Sequence, residues 1–270
     1  MAMTEPLSLS SFVDPLAGTP YRAIGPAGGG SMGEVIEAEH RALKKRVMVK
    51  LIRAEHAGSS AMEDRMRLEA QATSALSGHP NIVEIFDLGR TAEGRPYLAM
   101  ERLVGRTLKQ EVAARGALPV AEAIGLVKQL LAGLAAAHGA GLVHRDIKPD
   151  NLFLCDAGPD GARRLKILDF GIVKVVSAGK RGPRPLAIPT GEGMAIGTPR
   201  FLSPEQATGR PVDARADLYA AGCVLFWLIA GRDPFFDREG LVAIVKAHAA
   251  DTPPPLSAIA EQAVPAALDE

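Results

Sequence analysis

Acidic and amide side chains stand among apolar residues at two places in the second half of the chain. The stretch LVHRDIKPDNLFL, residues 142–154, carries Asp146 and Asn151, and the branched run LKILD ends at Asp169. Carboxylate and amide oxygens are the hard ligands that Mg²⁺ prefers in proteins. If the fold brings the two stretches together, they form an oxygen site for a divalent cation.

Two features near the N-terminus suggest phosphate chemistry. The stretch GGGSMGEV, residues 28–35, places glycines at 28, 30 and 33, and glycine lets backbone amides approach a phosphate because it has no Cβ. Lys50 interrupts the apolar run VMVKLI, where burial of an unpaired ammonium would be costly. With the oxygen site, these groups can hold a nucleoside triphosphate.

The glycine spacing alone leaves three alternatives open: a dinucleotide-binding loop, a kinase-type loop, or a flexible loop in a chain with 28 glycines. In a dinucleotide-binding fold, a helix would begin directly after these glycines. In this chain, Glu34–His40 instead alternates apolar and charged residues, as a strand does. Arg41–Lys45 has the pattern of a turn, and Arg46–Ile52 that of a second strand rich in branched residues. No G-x-x-x-x-G-K-[ST] sequence is present. The glycines are therefore predicted at the tip of a β-hairpin, folded as a lid.

The rest of the sequence predicts a small β-rich half followed by a larger helical half. An amphipathic helix at residues 61–76 precedes strands in GHPNIVEIFDLG and RPYLAMERL, and the halves join near residues 101–105. In a helix over 121–138, residues Ile124, Val127, Leu131 and Leu134 form an apolar face, and Gly139 ends it. The apolar run 218–231 predicts a buried core helix. The segment 177–195 lacks periodicity, and such a long loop is usually functional or disordered.

Composition narrows the functional classes. The 270 residues carry a formal net charge of +0, so no global field attracts nucleic acid or an anionic membrane. Two cysteines in this length indicate a reducing compartment without a disulfide framework. The first twenty residues lack Lys and Arg, and the run 218–231 is shorter than the roughly 20 residues that cross a bilayer. We expect a cytoplasmic location, no nucleic-acid partner and no membrane segment within these residues; a membrane anchor after Glu270 stays open.

In their order along the chain, these motifs resemble the protein kinase family, and most closely the bacterial eukaryotic-like Ser/Thr protein kinases, over about residues 21–270. The resemblance implies an α+β, bilobal protein-kinase fold. A small antiparallel β-sheet N-lobe with one main helix would occupy residues 20–101, after a flexible segment 1–19. A larger α-helical C-lobe would occupy residues 102–270, with its C-terminal helices missing.

The resemblance assigns the N-terminal motifs to ATP. Lys50 would hold the α- and β-phosphates, and Glu69 in RLEAQ would be its partner, the alternative being a solvated helix charge. In the hinge, Met100 would be the gatekeeper. The positions expected to bind the nucleotide are Ile24, Gly28, Gly30, Gly33, Val35, Lys50, Glu101 and Leu103.

The resemblance also assigns roles in HRDIKPDN and DFG. Asp146 would be the catalytic base, Lys148 would offset charge on the transferred phosphoryl group, and Asn151 and Asp169 would hold Mg²⁺, with Mn²⁺ as the alternative ion. Thr198 in GTPRFLSPEQ would lie near Asp146 and mark Ser/Thr substrates. The further expectations are that His144 and Phe170 are packing positions, that Asp150 is a solvated loop charge, and that Asp217 bonds the catalytic-loop backbone.

The implied activity is transfer of the γ-phosphoryl group of MgATP to Ser/Thr hydroxyls of proteins, including autophosphorylation through a transient homodimer. Thr190 is the expected regulatory acceptor, with Arg145 as receiver of its phosphate; the alternative is a disordered basic loop. Rival functions are a pseudokinase scaffold and a kinase-fold enzyme acting on a small molecule. Glu205 usually pairs with an arginine in an R-P-like motif not found before Glu270, so a fragment of a longer protein is expected.

Overall fold

The computed structural model describes residues 14–29, 33–54, 59–158, 161–169 and 199–269. These residues fall into two compact units. The first comprises the described residues up to Met66 together with Phe86–Arg102, and the second comprises Arg67–Ile85 and the described residues from Leu103 onward. The predicted domain bounds, 1–19, 20–101 and 102–270, differ from this division and stay a prediction.

The strands of the first unit are β1 (Tyr21–Gly29), β2 (Gly33–His40), β3 (Arg46–Ile52), β4 (Ile85–Arg90) and β5 (Pro96–Glu101). They form a five-stranded sheet of order β1-β2-β3-β5-β4, with antiparallel pairing of β1 with β2, β2 with β3 and β3 with β5. The predicted hairpin strands and the turn between β2 and β3 are confirmed. In β3 the branched residues alternate with the half-buried Met48 and Lys50, so Val47, Val49 and Leu51 enter the core.

The second unit is mainly helical. It also contains a three-stranded antiparallel sheet of order β6-β7-β8. The HRDIKPDN loop ends directly before β7, the middle strand of this sheet. The helices are α1 (Ser60–Ser74, which begins in the first unit), α2 (Leu108–Arg115), α3 (Val120–Gly139), α4 (Pro204–Thr208), α5 (Arg215–Ala230), α6 (Leu241–Ala250) and α7 (Leu256–Ile259). The short strands are β6 (Gly105–Thr107), β7 (Leu152–Cys155) and β8 (Leu165–Ile167), and 3₁₀ turns lie at Pro149–Asn151, Pro199–Phe201 and Ala266–Leu268.

Helices α3 and α5 supply much of the core of the second unit. The prediction that the apolar run 218–231 is a buried helix is confirmed, since α5 buries residues around most of its circumference. The predicted face of α3 was wrong in part, because Leu131 is 39% exposed whereas Leu126 and Leu130 are buried. The 3- and 4-residue spacing is correct, but the buried face is rotated by about one residue, because small Ala123 and Ala137 also face the core.

Helix α3 is also the one helix, among the described residues, long and apolar enough to cross a membrane by length and composition. The sequence prediction rested on the uninterrupted run at 218–231 and did not include α3, because Glu122, Lys128 and Gln129 interrupt its apolar residues. Core helices of folded domains meet the same criterion, and α3 packs Leu130, Leu134 and Ala137 into the core of the second unit. The helix is therefore weak evidence for a membrane span.

Candidate active site

The loop HRDIKPDN lies between α3 and β7 in the second unit and brings three predicted side chains together. Lys148 Nζ donates to Asp146 Oδ2 at 2.8 Å, and Asn151 Nδ2 donates to the same oxygen at 3.0 Å and to the Asp146 carbonyl at 2.8 Å. Pro149 begins the 3₁₀ turn that places Asn151, since its ring presets φ and its missing N–H is not needed there. Asp146 is thus a carboxylate held by an ammonium and an amide of its own loop.

A buried carboxylate of α5 holds the backbone of this loop. Asp217 is 1% exposed and accepts from the N–H groups of His144 at 2.8 Å and Arg145 at 2.7 Å. His138 Nε2 lies 2.8 Å from Asp217 Oδ2. Arg145 adopts φ 65°, a left-handed conformation that costs about 1–2 kcal/mol for a residue with a Cβ, and these bonds stabilise it. Asp217 therefore bonds the backbone directly before Asp146, as the sequence predicted.

His144 connects the HRDIKPDN loop to Leu168, the residue between β8 and Asp169. Its ring is fully buried, accepts the Asp146 N–H at Nδ1 at 3.2 Å, and lies 2.9 Å from the Leu168 carbonyl through Nε2. Because Nδ1 accepts, the network assigns the proton to Nε2, which donates to Leu168. Burial lowers the pKa of His144, so the ring is neutral at neutral pH. The sequence treated His144 only as a packing position, and its two polar contacts were missed.

Asp169 is the second residue after β8 and is placed by backbone contacts of Leu168. The Leu168 N–H donates to the Asn151 carbonyl at 2.9 Å, and Asp169 has φ 41°, an unusual conformation for a residue with a side chain. Two hydrogen bonds at Leu168 thus place Asp169 relative to the loop that carries Asn151. Asn151 uses Nδ2 for its bonds to Asp146, so Oδ1 is the atom with the chemistry of a cation ligand.

Gln206 of α4 is a further contributor that sequence analysis missed. Its Nε2 donates to the Arg145 carbonyl at 2.8 Å, while Ser203 and Gln206 form a capping box at the start of α4. The S-x-x-Q spacing of a capping box was the available signal for the helix start. Nothing in the sequence indicated the bond to Arg145, because it joins residues 61 positions apart.

In the first unit, Gly28 and Gly29 are the last residues of β1 and Gly33 is the first residue of β2. Gly28 pairs with Val35 and Gly29 with Glu34. A Cβ on Gly33 would lie 2.7 Å from the Leu51 carbonyl oxygen, so the close approach of β2 to β3 requires glycine at this position. The hairpin prediction is confirmed, whereas Gly30 lies outside the described residues.

The other positions predicted to bind nucleotide lie on the same sheet or just after it. Lys50 is half-buried in β3, opposite Val35 of β2 and Leu98 of β5, and Ile24 is 42% exposed on β1. Glu101 is the last residue of β5. Leu103, the first residue of the second unit after β5, is half-buried. The assignment of these residues to nucleotide binding stays a prediction.

Glu69 is 7% exposed on α1, so the alternative of a solvated helix charge is wrong. It belongs to the second unit and Lys50 to the first, and the predicted pair between them stays a prediction.

Thr190, Thr198 and Phe170 lie outside the described residues. Asp150 is 40% exposed at its side chain and pairs with Lys109 at 2.7 Å, so its interpretation as a surface charge agrees with the structure.

Comparison with known proteins decides which family contains this arrangement. Residues 21–264 match the family model described as a protein kinase domain. The chain belongs to the protein kinase family. The predicted resemblance to bacterial Ser/Thr protein kinases and the predicted α+β protein-kinase fold are confirmed. Members of this family use ATP and a divalent cation.

Relatives of the kinase domain come from several bacteria. It is 42% identical over 259 residues to the serine/threonine-protein kinase Pkn1 of Myxococcus xanthus, covering 95% of this chain and 35% of Pkn1. It is 40% identical over 261 residues to the serine/threonine-protein kinase PksC of Streptomyces coelicolor, covering 94% of this chain and 44% of PksC. The chain therefore spans less than half of the length of these curated relatives.

A solved structure agrees with this membership. The crystal structure of the PknI kinase domain of Mycobacterium tuberculosis superposes with a TM-score of 0.67 at 28% identity, covering 96% of this chain and 88% of that one.

Proposed function

We propose that this kinase domain is a Ser/Thr protein kinase that transfers the γ-phosphoryl group of ATP to Ser/Thr hydroxyls of proteins. The observation that carries the proposal is the carboxylate of Asp146, held by Lys148 and Asn151 in a loop whose backbone Asp217 fixes. Phosphoryl transfer needs positioning and electrostatic stabilisation more than covalent chemistry from the protein, and this loop is a positioning device.

In the proposed reaction, Asp146 accepts the proton of the substrate hydroxyl while that oxygen bonds to the γ-phosphorus. The bond from the γ-phosphorus to the bridging oxygen breaks, and ADP leaves with the electron pair. The ammonium of Lys148, which is 2.8 Å from Asp146 Oδ2, would offset charge on the phosphoryl group in transfer. A base positioned in this way typically contributes about 10²–10⁴-fold to the rate.

The residues of the second unit fit a divalent cation. Asn151 Oδ1 and the Asp169 carboxylate are hard oxygen ligands, and the contacts at Leu168 place Asp169 relative to Asn151. Bound there, Mg²⁺ or Mn²⁺ would neutralise charge on the phosphates. For the nucleotide, the proposed contacts are Gly28, Gly30, Gly33, Val35 and Ile24 above the phosphates and adenine, Lys50 on the phosphates with Glu69 as its partner, and the backbones of Glu101 and Leu103 at the adenine edge.

The proposal also covers regulation, partners and location. Thr198 selects Ser/Thr acceptors, and Thr190 is the autophosphorylated residue, reached through a transient homodimer. The other partners are protein substrates and not nucleic acid, in keeping with the formal net charge of +0. We place the kinase domain in the cytoplasm, where ATP is available to it.

The test is transfer of labelled γ-phosphate from MgATP to the protein itself and to a generic basic protein, followed by phosphoamino-acid analysis. We expect phosphoserine and phosphothreonine with the unmodified chain and almost none with Asp146→Asn, which keeps the shape of the side chain but cannot accept the proton. Phosphopeptide mapping of the same product tests Thr190.

The matched control is Asp150→Asn, four residues further along the same loop, where the carboxylate pairs with Lys109 at the surface. It should transfer phosphate as the unmodified chain does. ATP binding without transfer would favour the pseudokinase scaffold. Labelling of small-molecule hydroxyls but of no protein would favour the small-molecule kinase.

A further inference from the structure

Arg95, at the turn before β5, bonds two neighbouring strands of the first unit. Its Nε and Nη2 donate to the Ile52 carbonyl at 3.1 and 2.8 Å, and Nη2 also lies 2.5 Å from Glu34 Oε1. One guanidinium therefore joins the end of β3 to β2. The Arg95 side chain is 12% exposed, whereas that of Glu34 is 44% exposed.

Both partners of Arg95 lie at the glycine end of the hairpin. Glu34 follows Gly33 directly and pairs with Gly29 in the β1–β2 register, and Ile52 is the residue opposite Gly33 in the β2–β3 register. Glycines bring no side chains that could pack this end of the hairpin against its neighbours. The contacts of Arg95 supply a side-chain restraint at that place.

The opposite end of the same hairpin offers a comparison. There Arg22 pairs with Glu39 of β2 at 3.3 Å, but the Arg22 side chain is 60% exposed. Exposed pairs of this kind contribute little, because water competes for them and two side chains must be ordered. The backbone of Arg95 is also held in place, because its N–H donates to Thr91 Oγ1 at 3.3 Å and its carbonyl accepts the Thr91 N–H at 3.0 Å.

We propose that Arg95 is a positioning residue for the glycine-rich hairpin: by bonding Glu34 and the Ile52 carbonyl, it fixes β2 at Gly33 in the conformation that receives the phosphates of ATP. The inference rests on the proposed function and adds to it a residue outside the glycine, lysine and HRD motifs. Its contribution is to nucleotide affinity and not to the chemical step, because Arg95 belongs to the first unit and bonds neither Asp146 nor Lys148.

The variants that test it are Arg95→Ala, Arg95→Lys and Glu34→Gln, with Arg22→Ala as the matched control at the other end of the hairpin. In Arg95→Ala the KM for ATP should rise about three- to ten-fold, as expected for loss of a charge-assisted hydrogen bond, with kcat within about two-fold of the unmodified chain. Arg95→Lys should be intermediate, because an ammonium cannot repeat the three contacts of the guanidinium. Arg22→Ala should leave both constants unchanged.

Hydrogen exchange of the nucleotide-free protein provides a readout independent of catalysis. Arg95→Ala should speed exchange at the amides of residues 33–36, and Arg22→Ala only near residues 38–40. An unchanged KM in Arg95→Ala, or equal changes in KM for the Arg95 and Arg22 variants, would overturn the inference while the kinase proposal stands. An inactive unmodified chain would instead count against the kinase proposal. Should Arg95→Ala fold poorly, Arg95→Lys decides by the same criteria, and an unchanged KM for ATP in that variant overturns the inference. Glu34→Gln removes the charge but keeps an accepting oxygen, so its KM should rise less than that of Arg95→Lys.

Discussion

The HRDIKPDN loop of the second unit and the β1–β2 hairpin of the first unit are positioned by different physical means. In the loop, hardly any regular structure is present, and buried side chains hold the backbone: Asp217 bonds two consecutive N–H groups and His144 bonds the Asp146 N–H and the Leu168 carbonyl. In the hairpin, the β ladder from Gly33 to Glu39 against β3 holds the chain, and the side-chain pairs lie closer to the surface.

This difference indicates how each region should respond to substitution. A buried polar group without its partner costs about 1–3 kcal/mol, so the loop depends strongly on a few side chains. A ladder shares its bonds among many backbone groups, so single side-chain changes in the hairpin should have small effects unless they alter the backbone itself. Large effects are therefore expected at buried polar residues of the second unit and at close-contact glycines of the first.

Among substitutions that act only by displacing other groups, the largest effect is expected for Asp217→Asn. The amide nitrogen cannot accept a hydrogen bond, so at least one of the N–H groups of His144 and Arg145 loses its partner. We expect the free energy of unfolding to fall by about 1–3 kcal/mol. We expect kcat to fall by about 100-fold or more, the effect of a misplacement near 1 Å at the reacting groups. Chemical denaturation and steady-state kinetics measure the two quantities.

Asp213→Asn is the control for this substitution. Asp213 lies just before α5 and pairs with Arg215 at the surface, with 56% of its side chain exposed. Its activity should equal that of the unmodified chain. If Asp217→Asn kept full activity as well, the idea that buried polar contacts position the catalytic loop would be wrong.

A smaller effect, on ATP affinity, is expected for Gly33→Ala. The added Cβ would lie 2.7 Å from the backbone oxygen of Leu51, so β2 must move away from β3 at the glycine end. Overpacking of this kind costs about 1–3 kcal/mol, and we expect the KM for ATP to rise about ten-fold or more with a lesser change in kcat. Gly25→Ala, in β1 of the same hairpin, adds a Cβ that meets no atom within 4 Å and should bind ATP normally. Equal KM values for the two variants would contradict the assignment of Gly33.

The smallest expected effect is a decrease in the free energy of unfolding at acidic pH, caused by two buried histidines of the second unit. Burial lowers the pKa of His144 and of His248, so the unfolded chain takes up protons at these positions before the folded chain does. The free energy of unfolding should therefore decrease below about pH 6.5, with a limiting slope of about 1.4 kcal/mol per pH unit for each histidine, until its folded-state pKa is reached. The ordered loop thus loses stability on the acid side, and no stability is lost through these groups above pH 7.

The variant that isolates this effect is His144→Phe, which keeps a buried ring but cannot titrate. Its denaturation midpoints between pH 7.5 and 5 should fall less steeply than those of the unmodified chain, although its stability at pH 7.5 is lower. A slope equal to that of the unmodified chain would show that His144 does not contribute.

Local patterns in the sequence predicted much of this structure. Alternation in residues 34–40 and branched residues in 46–52 gave the hairpin strands, and the all-round apolar run at 218–231 gave α5. The motif order predicted the family, which the comparisons confirm. Contacts between residues far apart in sequence could be predicted only where the family resemblance implied them, as for Asp217 and the backbone of the HRDIKPDN loop.

The features that could not be predicted from the sequence depend on tertiary packing. The buried face of α3 is set by neighbouring elements that favour Ala123 and Ala137, so counting large apolar residues misplaced it by about one position. The polar contacts of His144, Gln206 and Arg95 join residues far apart in sequence or use backbone carbonyls, for which no periodic signal exists. Residue types predicted the chemistry, but not the contacts that hold it in place.

In the proposed reaction, Asp146 accepts the proton of the substrate hydroxyl within a loop whose backbone Asp217 and His144 hold. The most direct measurement is the single-turnover rate of γ-phosphoryl transfer at saturating MgATP, for the unmodified chain, Asp146→Asn and Asp150→Asn. We expect a rate about 10²–10⁴-fold lower for Asp146→Asn and a rate close to that of the unmodified chain for Asp150→Asn. A wild-type rate in Asp146→Asn, or equal losses in the two variants, would contradict it.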